Sequence, residues 1–222
     1  MHVVITGGTK GIGLAIAKTF AREGAQLAIC SRHESDLAEA KATLEDLHPD
    51  CQVLTMVTDV RSREAVQAFG AYVLERLETV DVLINNAGVF VPGQVHLEDE
   101  GVMEKMVETN LYSAYHLSRK LLTPMLARKK GHIFNICSIA SLFAYPNGGS
   151  YSISKFAMLG FSKALREEMK DKGIRVTSVM PGATWSASWA GVDLPYERLM
   201  PPEDVASAVW NCWKMSASTV VE

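Results

Sequence analysis

Short apolar runs alternate along the chain with longer stretches in which apolar residues recur every three or four positions. The short runs are almost continuously apolar, as in strands that are covered on both faces. Strands are predicted at His2–Thr6, Gln26–Cys30, Gln52–Val57, Val80–Ile84, His132–Cys137 and Arg175–Val179. Helices are predicted at Ile12–Arg22, Glu34–Leu47, Arg63–Leu77, about Glu98–Arg128, Ser152–Asp171 and Glu203–Met215.

The alternation of strand and helix predicts an α/β fold: a doubly wound parallel sheet with helices on both faces and right-handed crossovers. No internal repeat, low-complexity stretch or linker interrupts the pattern. The sequence therefore predicts a single domain over residues 1–222.

Composition narrows the class of protein. The 222 residues suffice for one hydrophobic core. A net charge of −3 does not indicate a protein that binds nucleic acid or a membrane surface. No apolar run approaches the ~18 residues of a membrane span. The four cysteines form no CxxC pair, and the histidines have no metal-ligand spacing. We expect a cytoplasmic protein with buried thiols, no metal and a small-molecule partner.

A glycine-rich bend follows the first strand, with glycines at 7, 8, 11 and 13 and Lys10 among them. A helix N-terminus offers unpaired N–H groups to an anion, and glycines let a diphosphate approach the backbone. No GK[ST] follows, so the bend is not a Walker loop. It predicts a pyrophosphate cradle; the alternative is a tight turn that binds nothing.

The end of the second strand indicates which dinucleotide binds. An acidic residue there holds the ribose 2′-OH of NAD, but this strand ends Cys30-Ser31-Arg32. Lys10, Arg32 and the Ser31 hydroxyl suit a 2′-phosphate instead. The sequence predicts NADP(H), unless Lys10 and Arg32 are ordinary solvated cations.

Further motifs follow: NNAG at Asn85–Gly88, then Asn110, Ser138 and YSISK at Tyr151–Lys155. Together with TGGTKGIG at Thr6–Gly13, they resemble the short-chain dehydrogenase/reductase family in order and spacing, over nearly the whole chain. The lysine and arginine pattern resembles its NADPH-preferring carbonyl reductase and sepiapterin reductase branch. The resemblance implies a Rossmann fold.

The last motif carries chemistry of its own. Tyr151 and Lys155 share one helix face, so the ammonium is expected to lower the tyrosine pKa from its reference of about 10. Tyr151 would then deliver a proton to a developing alkoxide, and Ser138 would orient the carbonyl. The resemblance implies the same roles and adds Asn110, which would hold a water in a proton relay reaching Lys155. Taken singly, each residue also fits a packing or capping role.

The resemblance also implies the cofactor contacts. Asp59 would meet the adenine amino group, Pro181-Gly182 would face the nicotinamide, and Thr184 would contact the carboxamide or be a plain loop residue. The full set is Gly7, Thr9, Lys10, Gly11, Ile12, Gly13, Ser31, Arg32, Asp59, Val60, Asn86, Ala87, Gly88, Tyr151, Lys155, Pro181, Gly182 and Thr184.

A short substrate lid is expected at about 183–200. Trp185 and Trp189, four apart, would close over an apolar carbonyl or pack on the core or a partner subunit, and Tyr145 would line another wall. The helices predicted at 98–128 and 152–171 would form the interface of a homodimer or homotetramer, or would only cover the sheet.

These residues predict an NADPH-dependent carbonyl reductase with Tyr151 as general acid. The alternatives are NAD(P)-dependent alcohol oxidation and a non-catalytic NADP-binding sensor. The substrate is left open among a 3-oxoacyl thioester, a pteridine side-chain ketone, a sugar and a xenobiotic carbonyl, and the short lid favours a small one.

Overall fold

The structure is a computed structural model that describes residues 1–185, 198–216, 218–219 and 221. Its strands are β1 His2–Thr6, β2 Gln26–Ser31, β3 Val53–Val57, β4 Val82–Asn85, β5 Gly131–Ile136 and β6 Ile174–Val179. Its helices are α1 Gly11–Ala21, α2 Glu34–Glu45, α3 Arg63–Leu77, α4 Val102–Val107, α5 Ser113–Arg128, α6 Gly149–Met169 and α7 Pro202–Lys214. The predicted α/β fold is confirmed.

The six strands form one parallel sheet in the order β3-β2-β1-β4-β5-β6. The chain winds outward from β1 to β3, then returns to the centre and winds the other way. The direction of winding therefore switches between β1 and β4. In open α/β sheets, ligands bind at such a switch, beyond the carboxyl ends of the strands.

Both faces of the sheet are buried, which explains why the strands read as continuous apolar runs. Val3 and Ile5 pack in the cluster that contains α1, α2 and α7. Val4, between them, faces the opposite cluster, which contains α3, α5 and α6. All three side chains are fully buried, so β1 is the centre of a three-layer sandwich.

The long helix predicted at about Glu98–Arg128 is present, but it begins four residues later and contains a π-helical turn. Gly101 has a left-handed φ of +84°, so the helix begins only at Val102. A π-helical turn over Glu108–Tyr112 then separates α4 from α5. The chain stays helical through this turn, and so the sequence pattern does not reveal it. Such π-turns are frequent at functional sites, and this one contains Asn110.

The lid is described only at its two ends. Trp185 N–H donates to the Met200 carbonyl at 2.9 Å, and Met200 N–H donates to Ala183 at 2.8 Å. Residues 186–197, including Trp189, lie outside the described residues. None of the helices in the described part of the chain combines the length and the apolar character that a membrane span requires.

Candidate active site

The glycine bend lies between β1 and α1, as predicted. Gly7 and Gly11 have positive φ values of +65° and +53°, which glycine adopts without strain. A Cβ at Gly13 would lie 2.2 Å from the Gly7 carbonyl oxygen. Gly13 is thus required for the helix to pack beneath the bend, and it does not line the cleft.

Two side chains brace the bend against the end of β4. The Thr6 hydroxyl accepts hydrogen bonds from the backbone N–H groups of Asn86 and Ala87, both at 3.0 Å. The Asn86 amide donates to the carbonyls of Thr6 and Gly7, also at 3.0 Å. The backbone at the switch point is therefore held from both sides. Thr6 ends the strand and carries no periodicity signal, so the sequence did not single it out.

One cleft of about 970 Å³ runs along the carboxyl ends of the strands. It brings together all of the predicted site residues except Gly13 and Asn110. They are Gly7, Thr9, Lys10, Gly11, Ile12, Ser31, Arg32, Asp59, Val60, Asn86, Ala87, Gly88, Ser138, Tyr151, Lys155, Pro181, Gly182 and Thr184. The bend and the YSISK motif, over 130 positions apart in sequence, thus border one space.

One of the predicted phosphate-binding cations, Lys10, already forms an ion pair within the chain. Lys10 Nζ lies 2.8 Å from a carboxylate oxygen of Asp36, in the first turn of α2. The Lys10 side chain is 61% exposed and the Asp36 side chain 18%. Arg32 lines the same part of the cleft. The sequence analysis missed Asp36. Its position four residues after Arg32 was the signal that could have placed it near the cofactor cations.

Asp59 lines the cleft with its carboxylate already held by a neighbour. The Arg61 guanidinium donates to it at 2.8 Å through Nη2 and at 3.1 Å through Nε. This ion pair holds the pKa of Asp59 below its usual range. A carboxylate keeps further lone pairs for another donor, so the predicted adenine contact stays a prediction.

Tyr151 and Ser138 lie at the other end of the cleft. Burial raises the pKa of Tyr151 above its ordinary value, and a hydrogen bond with Ser138 partly opposes that rise. The net shift is therefore upward in this structure, and the lowering of this pKa by the Lys155 ammonium stays a prediction. Burial of the phenol disfavours the charged phenolate, and the hydrogen bond with Ser138 stabilises that phenolate only in part.

Lys155 is buried, and its ammonium group contacts the end of β5. Its Nζ donates to the Ile136 carbonyl at 2.9 Å and lies 5.8 Å from the centre of the Tyr151 ring. Burial lowers the pKa of Lys155 to about 8. The side chain is 5% exposed, so its position is fixed by the end of β5 and not by solvent.

Asn110 lies beneath the cleft, 1% exposed, within the π-helical turn. Its Oδ1 accepts from Val89 N–H at 2.7 Å, and its Nδ2 donates to the Val89 carbonyl and the Ser154 hydroxyl. Asn110 thus ties the chain after β4 to α6. A Cβ at Gly88 would lie 3.3 Å from Asn110 Oδ1 and 3.7 Å from Lys155 Nζ, so both groups approach one point. The relay water stays a prediction.

Two further residues that the sequence analysis missed contact the first turn of α6. The Phe90 ring meets the Tyr151 ring edge-on, with centroids 4.9 Å apart. The Glu98 carboxylate accepts from the Ser150 N–H at 2.8 Å and from the Ser150 hydroxyl. Both lie on the connection after β4, and the chain pattern offers no signal for either.

Cys30, Cys51 and Cys137 are buried and Cys212 partly so, all as free thiols. Burial raises the pKa of Cys30 to about 12. Within the described residues, no three His, Cys, Asp or Glu side chains group as metal ligands. The Thr184 hydroxyl donates to the Gly182 carbonyl at 3.1 Å.

The chain resembles known proteins along its length. Sepiapterin reductase of Chlorobaculum tepidum is 33% identical over 99% of this chain and 93% of its own. The 3-oxoacyl-acyl-carrier-protein reductase FabG of Chlamydia trachomatis is 35% identical over 92% and 86%. The alcohol dehydrogenase of Thermococcus sibiricus, solved with 5-hydroxy-NADP, has a TM-score of 0.92 at 29% identity, covering 100% of this chain and 93% of that one.

A metagenomic short-chain oxidoreductase, solved with NADP, has a TM-score of 0.87 at 27% identity over 100% of this chain and 94% of its own. The family model described as short chain dehydrogenase matches residues 1–194. That match spans the glycine bend, the braced end of β4, Ser138 and the Tyr151–Lys155 pair. The chain is therefore an oxidoreductase that belongs to the short-chain dehydrogenase family.

Proposed function

We propose that the protein is an NADPH-dependent reductase of ketones or aldehydes. The observation that carries the proposal is the single cleft with the bare glycine bend at one end and Ser138, Tyr151 and Lys155 at the other. The first feature suits a diphosphate, and the second suits proton delivery to an alkoxide. NADP-bound relatives of the same fold support the cofactor.

The residues present fit the dinucleotide. Gly11 and Ile12 form the first turn of α1 and line the cleft, where the free N–H groups of a helix N-terminus favour an anion. Lys10, Arg32 and Ser31 would hold the 2′-phosphate, and no carboxylate ends β2 to repel it. When bound, the reduced nicotinamide supplies a hydride to the carbonyl carbon.

The chain's own residues would complete the reaction. Ser138 would donate a hydrogen bond to the substrate oxygen, and Tyr151 would pass its phenolic proton to that oxygen as the carbon is reduced, which yields the alcohol. Lys155 would hold positive charge beside the phenolate and bind the nicotinamide ribose. Asn110 would hold a water in a proton relay that reaches Lys155. The same residues run the reaction backwards as an alcohol oxidation, so the direction depends on which cofactor form is supplied.

A panel of ketones and aldehydes assayed by loss of the nicotinamide absorbance tests the proposal. We expect consumption of NADPH with at least one carbonyl, formation of the matching alcohol, and much slower consumption of NADH. Ser138→Ala should retain NADPH binding and lose turnover by about 10²-fold or more. Tight NADPH binding without turnover on any carbonyl or alcohol would favour the sensor alternative.

We also propose that two copies associate through the outer face of α6. Gly160 lies within α6, where glycine costs about 1 kcal/mol relative to alanine. A Cβ at Gly160 would meet no described atom within 4 Å, so the described part of one copy does not require the glycine. The neighbouring Ile153 and Phe156 are half-exposed on the same helix. A second helix that packs closely against Gly160 accounts for both facts.

Light scattering after size exclusion tests this association. We expect Gly160→Arg to be monomeric and Glu23→Arg, on the opposite face of the sheet, to keep the wild-type mass. An unchanged mass for Gly160→Arg would contradict the proposed interface.

The buried free thiols and the absence of CxxC pairs support a reducing, cytoplasmic location for this single-domain protein.

A further inference from the structure

The mouth of the catalytic end of the cleft carries many exposed apolar side chains. We define the mouth as the described residues of three connections: 86–101 after β4, 137–148 after β5 and 180–185 after β6. Phe143 is 72% exposed and Leu97 68%. The other exposed apolar side chains of the mouth are Val95, Ile139, Leu142, Tyr145 and Trp185. Such a concentration marks a binding surface more often than a chance feature.

This apolar surface is continuous with the catalytic site. Ile139 and Tyr145 line the same cleft as Ser138 and Tyr151. Tyr145 also forms one wall of a second cavity of about 510 Å³, whose apolar lining includes Val95 and Ala144. A molecule that presents a carbonyl to Tyr151 therefore finds apolar surface on the side away from the cofactor residues.

The same connections lack cations. Residues 86–101 and 137–148 contain no lysine or arginine, and their acids are Glu98, Asp99 and Glu100. Residues 180–185 contain no lysine, arginine or histidine. By contrast, the cofactor end has Lys10, Arg32 and Arg61. Positive charge is thus concentrated where a phosphate is expected and is absent from the substrate connections.

The remaining basic groups near the mouth do not supply a buried anion site. Lys155 is buried and bonded to the Ile136 carbonyl, and His96 is exposed. Lys105 of α4 lines the cleft as an exposed side chain, and Arg198 is exposed beyond the lid. An anion placed against the apolar mouth would lose hydration without gaining a fixed partner, which is costly.

We propose that the substrate is an uncharged carbonyl compound with an apolar body, and that anionic carbonyls are rejected. The inference rests on the proposed carbonyl reduction. It excludes keto acids and a 3-oxoacyl thioester whose carrier arm bears a phosphate, and it favours an aryl or alkyl ketone. The occupant of the mouth is the substrate itself, because Tyr145 and Ile139 belong to both the apolar mouth and the catalytic cleft.

Matched carbonyl pairs test this charge selection. We compare acetophenone with 4-acetylbenzoate, and ethyl benzoylformate with benzoylformate, in the wild type, in Ile139→Lys and in Met215→Lys; Ile139 is 52% exposed and lines the cleft. Met215 is 42% exposed at the end of α7 and does not line the cleft. We expect kcat/KM to favour the neutral member of each pair by on the order of 10-fold or more. Ile139→Lys should narrow that ratio several-fold, whereas Met215→Lys should leave it unchanged.

Equal or better use of the anionic member by the wild type would overturn the inference. An Ile139→Lys variant that keeps the wild-type ratio but has a lower mass by light scattering would also overturn it, because the mouth would then be an interface between copies. Calorimetric binding of the same pairs to NADP-loaded Tyr151→Phe separates the two proposals. Neutral-selective binding with no wild-type turnover would contradict carbonyl reduction alone, and unselective binding would contradict the charge selection alone.

Discussion

Glu98 binds the residue that precedes Tyr151: its carboxylate accepts hydrogen bonds from the backbone N–H and the hydroxyl of Ser150. Helix α6 has a glycine N-cap and no acid in its first turn, so its first N–H groups have no local acceptor. Glu98 supplies one, with a favourable charge, from 52 residues away. A Cβ at Gly149 would lie 2.0 Å from Glu98 Oε1, so the carboxylate fits there only because residue 149 is a glycine.

Replacing Glu98 tests whether this contact positions Tyr151. Glu98→Ala should lower the free energy of unfolding by about 1–2 kcal/mol, as loss of a helix cap does. It should also lower kcat much more than it raises the KM for NADPH, because the first turn of α6 carries Tyr151. Glu98→Gln keeps an acceptor for the Ser150 N–H and should restore most of kcat.

Glu100→Gln is the matched control, since it removes one exposed acid from the same connection. Thermal unfolding and steady-state kinetics on the four proteins measure both effects. If Glu98→Ala behaved like Glu100→Gln, the carboxylate would have no positioning role.

The Lys10–Asp36 ion pair predicts how the protein selects its cofactor. Asp36→Asn removes a carboxylate that neutralises Lys10, so NADPH should bind several-fold more tightly while NADH changes little. Arg32→Asp should weaken NADPH far more than NADH, because it places a negative charge beside the 2′-phosphate. Fluorescence titration of the wild type and both variants with each cofactor measures the six affinities. Parallel changes for NADPH and NADH would contradict the phosphate assignment.

His132 predicts acid sensitivity. Burial, and then the charge of Arg175, lowers its pKa from 6.5 to about 3. Between these values the unfolded chain binds a proton that the folded protein does not, so stability falls as pH falls below 6.5. The slope from this group is about 1.4 kcal/mol per pH unit. Urea unfolding from pH 6.5 to 4.5 should show a smaller loss for His132→Asn than for the wild type. His96→Asn, at an exposed histidine, should behave as the wild type does.

Lys155 predicts a stability cost at neutral pH. Burial lowers its pKa from 10.5 to about 8, so below pH 8 the folded protein carries a buried charge. Lys155→Met should therefore raise the free energy of unfolding at pH 7 by about 1–3 kcal/mol, net of the lost hydrogen bond to Ile136. The wild type gains stability relative to the variant as pH rises from 8 to 10.5. A less stable variant at pH 7 would show that Lys155 is a net structural support.

The elements that sequence could predict are those with local causes. β1 and α3 have the predicted bounds, because a doubly buried strand and an amphipathic helix each leave a periodic pattern. The π-turn between α4 and α5 was not predicted because it is a local change of hydrogen bonding inside a continuous helical stretch. The Glu98–Ser150 contact joins residues 52 positions apart, and no local pattern encodes it. The raised pKa of Tyr151 depends on burial, which spacing alone does not reveal.

The central claim is that the Tyr151 hydroxyl delivers the proton to a carbonyl reduced at this cleft. Replacing Tyr151 by phenylalanine and measuring NADPH affinity and kcat on the same protein tests it most directly. We predict an NADPH Kd close to that of the wild type and a kcat reduced by about 10²-fold or more. A variant that turns over at the wild-type rate, or one whose only defect is weaker NADPH binding, would contradict the claim.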